Sequence, residues 1–479
     1  MAIAGRGLFA RVLSGPGSLA VAGVAVNGGN LLANLVLARV LNATGYGALV
    51  VQTGIFLILS MGGSALQVAV VRRGIPGSGD SQHARGFWIH RLRVVCAVAA
   101  AVTCVLGLLA DGPVAAILSY PHPFAIAEAI AAAAIWVSLS VERGLLQAGR
   151  AYQELAGNFV LEGIGRIVVT IALVFAGFGV NGAGLGLIVG VLCAAEHARR
   201  RTALSAHGRH ELPGPRSVPA DGGRRRASGQ RVRTRHALRR DTITALGALV
   251  PLAMLQNMDV VIVGWLNPAE AGAYAAIATA CKVPVFIGLA VANFLLPEAA
   301  QRRQRGRPAT AALLAAVGWV VAPGLLLVGL GAVVAAPMLS VVFGPHLIAG
   351  APALWVLALA MTCLAVTLLF TNYLLGAGQQ KVVGVLAAGT VITGAALAAA
   401  GGDLFATAVA ALVCQAVTAS MTGFMMLRAH RPAASDLSVP VAAQRPAGPA
   451  THQPVADPGL PTQRPPRSAA LSSSSRAER

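Results

Sequence analysis

The chain has 479 residues, 56% of them apolar and only 11% charged, and its mean hydropathy is +0.71. An ordinary soluble domain is about 45–50% apolar and about 25% charged, so a soluble enzyme, a disordered chain and a fibrous chain are excluded. Lys and Arg number 37 against 17 Asp and Glu, a formal +20; the excess lies between apolar segments, where it reads as a topology signal and not as a nucleic-acid surface.

The expected object is an all-α membrane protein. Residues 1–16 form a short cytoplasmic N-terminus with Arg6 and Arg11. The apolar run behind them is too long for a signal peptide, so the first helix is read as retained. Stretches near the ~20 residues that a spanning helix needs are expected at Gly17–Leu41, Gly47–Val71, Leu92–Ala110, Phe124–Val141, Phe159–Phe178 and Val180–Ala195. These six make an N-lobe over residues 17–198. Residues 199–240, rich in Arg, Pro, Gly and Ser, are a basic cytoplasmic loop expected to be disordered. Six more spans follow at Ile243–Leu266, Ala271–Leu296, Ala311–Ala336, Ala351–Leu375, Val382–Ala400 and Leu404–Leu427, a C-lobe over residues 241–427. Residues 428–479 are a second disordered cytoplasmic segment by the same composition argument. Anionic lipids are the expected partners of both arginine-rich segments.

With the N-terminus inside, the inner connections carry Arg72, Arg73, Arg85, Arg91, Arg93, Arg143, Arg150, the basic loop, Arg302, Arg303, Arg305, Arg307 and Lys381. The outer connections carry no Lys or Arg and hold Asp111, Glu270 and Asp403. That asymmetry is the positive-inside pattern, and it places both termini in the cytoplasm.

The two halves are related. Leu41-Asn42 followed by Gly47-Ala48 recurs as Leu266-Asn267 followed by Gly272-Ala273, and Pro121-His122 recurs as Pro345-His346, at offsets of 225 and 224 residues. Each pair falls in an equivalent outer connection. Six spans per half give both halves one orientation, a parallel repeat of the kind that builds two bundles around a central site.

At these residues the chain resembles a family. Leu37-Ala38-Arg39-Val40-Leu41-Asn42 with Tyr46-Gly47 resembles the first-to-second helix junction of polysaccharide-export flippases, the Wzx-like branch of the multidrug/oligosaccharidyl-lipid/polysaccharide (MOP) superfamily. Asp259 to Gly264 with Asn267, Glu270, Gly272 and Tyr274 resembles its seventh-to-eighth junction. Phe343-Gly344 with Ala351 and Leu354 resembles its ninth-to-tenth. The resemblance implies a MATE-like pair of six-helix lobes in a bacterial inner membrane. It implies transport of a polyprenyl-diphosphate-linked oligosaccharide from the cytoplasmic to the outer leaflet by alternating access, for cell-surface polysaccharide. Glycan polymerases and glycosyltransferases are the candidate protein partners, no nucleic acid is expected, and a proton or sodium gradient is the candidate driving force. The long basic loop and the C-terminal segment depart from the family's pattern.

Ionisable residues within spans are costly and are read first as functional. Arg39 ends span one, Glu162 and Arg166 share a face of span five, Asp259 lies in span seven and Lys282 in span eight. At about 1.5 Å per residue, Arg166 and Lys282 each lie about 18 Å below the outer end. Two cations at matched depth, one per lobe, suit a diphosphate, which Arg grips with a planar fork and Lys as a point charge. The candidate substrate-binding residues are Arg39, Arg166, Lys282 and Asn257; the candidate ion-coupling residues are Glu162 and Asp259. Blander readings stand beside these. Glu162 and Arg166 are spaced to neutralise each other, Asp259 to bridge towards Lys282, and Arg39 to reach the interface. The amides Asn27, Asn30, Asn34, Gln52, Gln67, Gln256 and Asn257 read as cavity lining or helix glue. Gly182, Gly186 and Gly190 read as a packing ladder. Pro251, Pro284 and Pro323 are candidate kinks.

Cys96, Cys104, Cys193, Cys281, Cys363 and Cys414 have no paired spacing and read as buried small hydrophobes. No metal, cofactor or catalytic constellation is expected. The alternatives are a multidrug or cation antiporter of the same superfamily, another duplicated twelve-helix transporter, or a membrane glycan polymerase or ligase. Short outer connections weigh against the last.

Overall fold

A computed structural model of the chain describes residues 17–74, 82–117, 120–207, 224–292 and 310–429. The expected N-terminal segment, the middle of the basic loop and the stretch from residue 430 onward lie outside them. Among the described residues the regular structure is helical, with no strand. In a bilayer the helix is the element that satisfies every backbone N–H and C=O within one segment.

In chain order the helices are α1 (Gly17–Val40), α2 (Ala43–Gly74), α3 (Gln82–Ile117), α4 (Pro123–Ala148), α5 (Tyr152–Leu173), α6 (Gly179–His207), α7 (Arg224–Leu266), α8 (Ala271–Cys281), α9 (Thr310–Val333), α10 (Ala335–Val342), α11 (Leu354–Gly376), α12 (Val382–Ala399) and α13 (Leu404–Ala429). Many are apolar on all sides because one side meets protein and the other lipid. On α3, Val95, Val98, Val102 and Leu109 are exposed. On α4 and α11, which pack at the centre of their halves, Ala129, Ala132, Leu139, Leu354, Leu357 and Leu369 are fully buried.

Among the described residues eleven helical stretches are long and apolar enough to cross a membrane, one of them 53 residues, Tyr152–Leu204. Straight, that stretch would reach about 80 Å, far beyond the ~30 Å hydrocarbon core. It folds back between α5 and α6, where the π-helical turn Val174–Phe178 contains Gly177 at φ 92 and precedes Gly179 at φ 54. Only glycine takes such left-handed angles at no steric cost. The fold-back makes two crossings of this stretch, which brings the eleven stretches to twelve crossings among the described residues.

The expected glycine ladder zips the two arms together. A Cβ on Gly182 would lie 3.0 Å from the Leu173 Cβ, one on Gly186 would lie 2.6 Å from the Thr170 backbone N, and one on Gly190 would lie 2.7 Å from the Arg166 Cβ. The partners run 173, 170, 166 as the glycines run 182, 186, 190, an antiparallel seam.

Several helices outrun the apolar stretches that announce them. α3 starts at Gln82 rather than Leu92, α6 continues to His207 and α7 begins at Arg224, so helix occupies both ends of the basic segment 199–240. α8 breaks at Lys282, and helical backbone resumes over 283–292. Pro284 accounts for the break: it has no N–H to give Ala280, and its ring crowds that carbonyl. Pro251 and Pro323 stay inside α7 and α9. Span nine divides at Val334, after which α10, a 3-10 segment Pro345–Ala353 and α11 follow.

The halves meet at the end that carries the α1–α2 and α7–α8 turns; α2 packs along α7, where a Cβ on Gly264 would meet the Val51 side chain, and the repeated glycines make the tightest approach. A Cβ on Gly47 would lie 2.7 Å from the Gly272 backbone N and 3.0 Å from the Ala271 Cβ; one on Gly272 would run into the Ala43 carbonyl. Next to them the fully buried Tyr46 hydroxyl lies 3.3 Å from the Thr279 hydroxyl, and Trp265 Nε1 donates to the Ile117 carbonyl at 2.9 Å. All six cysteines are free. Cys96 and Cys281 are buried, Cys104, Cys363 and Cys414 half-buried, and Cys193 is exposed on the flank of α6, which corrects the expectation that all are buried.

Candidate functional site

Just inside the glycine contact the halves separate around a cavity of about 200 Å³. α1 lines it with Asn27, Asn30 and Asn34, α2 with Gln52 and Thr53, α5 with Arg166 and Thr170, α7 with Asn257, and α8 with Thr279 and Lys282. Leu31, Leu37, Phe56, Leu57 and Phe286 supply an apolar wall. Polar side chains project here because the cavity is where facing helices do not fill the space between them.

Each cation is held by an amide across the wall. Arg166 donates from a terminal nitrogen to Asn30 Oδ1 at 2.8 Å. Lys282 donates from Nζ to Asn257 Oδ1 at 3.0 Å, and Asn257 is itself anchored by donating to the Ala253 carbonyl at 2.9 Å. An amide oxygen orients a cation without cancelling its charge; on its other side Arg166 is also 3.0 Å from the Glu162 carboxylate, the pairing its i,i+4 spacing allows. The break at Lys282 helps, since it leaves the residue in a turn, outside the close-packed helix.

Among the residues that line the cavity there is no Asp or Glu; the carboxylates sit one layer back. Glu128 Oε2 accepts from Gln52 Nε2 at 3.0 Å. Asp259 Oδ2 accepts from the Tyr274 hydroxyl at 3.2 Å. Glu162 is 3.0 Å from Arg166 and 3.7 Å from Arg143. The cavity surface is therefore cationic and amide-rich, with its negative charge buried behind it.

Of the residues singled out in the sequence, Arg166, Lys282 and Asn257 share this one space. Arg39 is not brought to it. Its side chain is exposed and donates to the carbonyls of Val341 and Val342, the C-terminal end of α10, where a cation is favoured; it ties α1 to the other half. Asp259 turns to Tyr274 and forms no ion pair with Lys282, so the expected bridge between spans seven and eight is absent among the described residues. Gln67 donates to Gln147 Oε1 at 3.1 Å and joins α2 to α4 away from the cavity.

One residue is corrected outright. Arg143, counted among the inner-loop arginines, is 1% exposed. It donates from Nε to Asn158 Oδ1 at 2.7 Å and lies over the rings of Phe159 and Trp136, 4.1 and 5.0 Å from their centroids. The sequence held one signal of this: Arg143 and Asn158 flank a short connection inside otherwise apolar surroundings. Thr53, Thr170 and Thr279 are further lining residues that no sequence pattern separates from ordinary core threonines.

A larger groove of about 660 Å³ lies on the flank of the first half among α3, α4 and α6, and shares no lining residue with the cavity. Arg93 closes its polar end with a two-pronged pairing to Glu142, both contacts 2.6 Å.

No protein-family model matches the chain, and no curated protein matches its sequence. Solved structures match its fold. An inward-facing multidrug resistance MATE family transporter of the MOP superfamily aligns at a TM-score of 0.60 and 15% identity, over 87% of this chain and 100% of that one. The lipid II flippase MurJ, in an inward closed conformation, aligns at 0.64 and 10% identity, over 85% and 87%. A MOP superfamily transporter from Pyrococcus furiosus, for which a binding pocket of reversed polarity suggests a different function, aligns at 0.51 and 14%, over 86% and 95%. At these identities the likeness is one of fold: this is a multi-pass membrane protein with the architecture of MOP transporters.

Proposed function

We propose that this protein is a bacterial inner-membrane transporter of the MOP superfamily that moves a polyprenyl-diphosphate-linked oligosaccharide from the cytoplasmic to the outer leaflet. The observation that carries the reading is the cavity surface: Arg166 from one half and Lys282 from the other, set among amides and hydroxyls, with no carboxylate in the lining. Such a surface favours an anionic headgroup, and charge-assisted hydrogen bonds to phosphate oxygens are among the strongest a protein makes. The amides Asn27, Asn34 and Gln52 offer partners for sugar hydroxyls, and the apolar wall offers a path for the polyprenyl chain. A flippase and multidrug transporters both share the fold, so fold alone does not choose between them. A cationic drug would need a carboxylate facing the cavity, whereas Glu128, Glu162 and Asp259 are each held behind it.

In this reading the contact at Gly47 and Gly272 closes the outer side, and the cavity loads from the cytoplasmic side. Transport requires that contact to open while the opposite ends of the halves approach, the rocking expected of repeated bundles. No chemical bond changes, so the reading is not that of an enzyme. The experiment is a leaflet assay in proteoliposomes. A fluorescent polyprenyl-diphosphate oligosaccharide should become accessible to an impermeant quencher at a rate set by this protein and abolished in the Arg166→Gln, Lys282→Gln double variant. Transport of a lipophilic cation in its place would overturn the reading.

A further inference from the structure

We infer that Arg143, buried behind the cavity, is a positioning residue that keeps Arg166 available to an anionic headgroup by competing with it for the carboxylate of Glu162. The inference rests on the proposed anionic substrate and names what sets the charge of its site.

The cluster joins three helices. α4 supplies Arg143, α5 supplies Glu162 and Arg166, and α1 supplies Asn30. Glu162 is 2% exposed, with one oxygen 3.0 Å from Arg166 and the other 3.7 Å from Arg143. Arg143 is fixed from the opposite side by Asn158, whose amide donates to the Ala194 carbonyl at 2.7 Å, and by the faces of Phe159 and Trp136. Its Nη1 and Nη2 make no hydrogen bond. Of the three charged groups only Arg166 lines the cavity, with its side chain 19% exposed.

Charge counting gives the consequence. Two guanidiniums and one carboxylate leave the cluster at one net positive charge. Without Arg143, Glu162 and Arg166 would form a closed pair of zero net charge, and an incoming anion would have to displace Glu162. With Arg143 present, the carboxylate has a second cation within reach, so an anion that binds Arg166 releases Glu162 towards Arg143 and not into an apolar interior. In a site of low dielectric such differences are far larger than in water, and an uncompensated buried charge is strongly unfavourable. An arginine that only held α4 to α5 would need Asn158 and the aromatic rings; it would not need Glu162.

The test is an affinity series with inorganic pyrophosphate as the probe, on full-length protein in detergent, measured by titration calorimetry. Arg143→Met brings the cluster to zero and should weaken binding by roughly tenfold or more, the scale of one charge-assisted hydrogen bond. Glu162→Gln raises it to two positive charges and should tighten binding. The double variant, Arg143→Met with Glu162→Gln, restores one positive charge and should return affinity close to that of the unaltered protein. Arg143→Lys should keep most of it. A merely structural Arg143 predicts the opposite for the double variant: the loss persists. That result, or an affinity unmoved by Glu162→Gln, overturns the inference while leaving the anionic substrate standing. If Arg143→Met does not fold, Glu162→Gln alone decides: tighter binding supports the inference, unchanged or weaker binding overturns it. No pyrophosphate binding to the unaltered protein overturns both readings together.

Discussion

Replacing Gly47 with Ala should jam the outer closure. The added Cβ would sit 2.7 Å from the Gly272 backbone N and 2.8 Å from the Ala271 carbonyl carbon, closer than such atoms approach. The obstacle is backbone, which cannot rotate away as a side chain can, so α2 and α8 must move apart. Overpacking of this kind costs about 1–3 kcal/mol. The cost arises while the halves are in contact, because the nearest atoms the new methyl meets all belong to the other half. It therefore acts on the equilibrium between the closed-outside and open-outside states, shifting it by roughly 5–150-fold. Thr279 faces the cavity beside this contact, and a cysteine placed there in an otherwise Cys-free chain reports opening through its reaction with an impermeant maleimide applied from outside. Gly47→Ala should raise that reactivity, and transport should fall because the return step is impeded. The control is Gly62→Ala on the same helix, where a Cβ meets nothing within 4 Å; it should change neither. Unchanged reactivity in Gly47→Ala, at equal abundance and thermal stability, would refute the assignment of this contact as the outer gate.

Lys282→Gln should weaken headgroup binding by about 1.5–3 kcal/mol, the scale of a hydrogen bond to a charged group, read by titration with the diphosphate lipid; an unchanged Kd would remove Lys282 from the site. Gly190→Ala should lower the Tm and reduce binding together, by about 1–3 kcal/mol of overpacking, because its Cβ would meet the Cβ and backbone of Arg166 itself. Binding that survives at a lowered Tm would separate the seam from the site. Ser472→Cys in an otherwise Cys-free chain should stay unlabelled by an impermeant maleimide in intact cells, as the positive-inside pattern requires; labelling there would overturn the twelve-span topology.

What the sequence reveals of the fold follows from where hydropathy carries information. The spans are visible because lipid tolerates only long apolar helices. The α5–α6 fold-back is visible because Gly177 and Gly179 interrupt a run too long for one crossing. The helical stretches 82–91, 199–207 and 224–240 are invisible to the same reasoning, since helix outside the hydrocarbon has no apolar signature. In the site, Arg166 and Lys282 stand out because few ionisable residues lie deep in apolar runs. Arg143 does not, because its neighbour Glu142 and nearby Arg150 make the stretch look like a loop, and its burial comes from the packing of α4 on α5. Arg39 is misplaced for a related reason. Its partners are backbone carbonyls of α10, some 300 residues away, and a carbonyl has no identity in sequence. Asp259 finds Tyr274 across the α7–α8 turn, a pairing that no helical periodicity contains.

Competition binding on the purified protein between a short-chain polyprenyl diphosphate and a lipophilic cation of matched size decides which charge the cavity takes. A cationic cavity shared by Arg166 and Lys282 predicts saturable binding of the diphosphate, loss of that binding in the Arg166→Gln, Lys282→Gln double variant, and no competition by the cation. Saturable binding of the cation, with the diphosphate unable to displace it, would contradict the account.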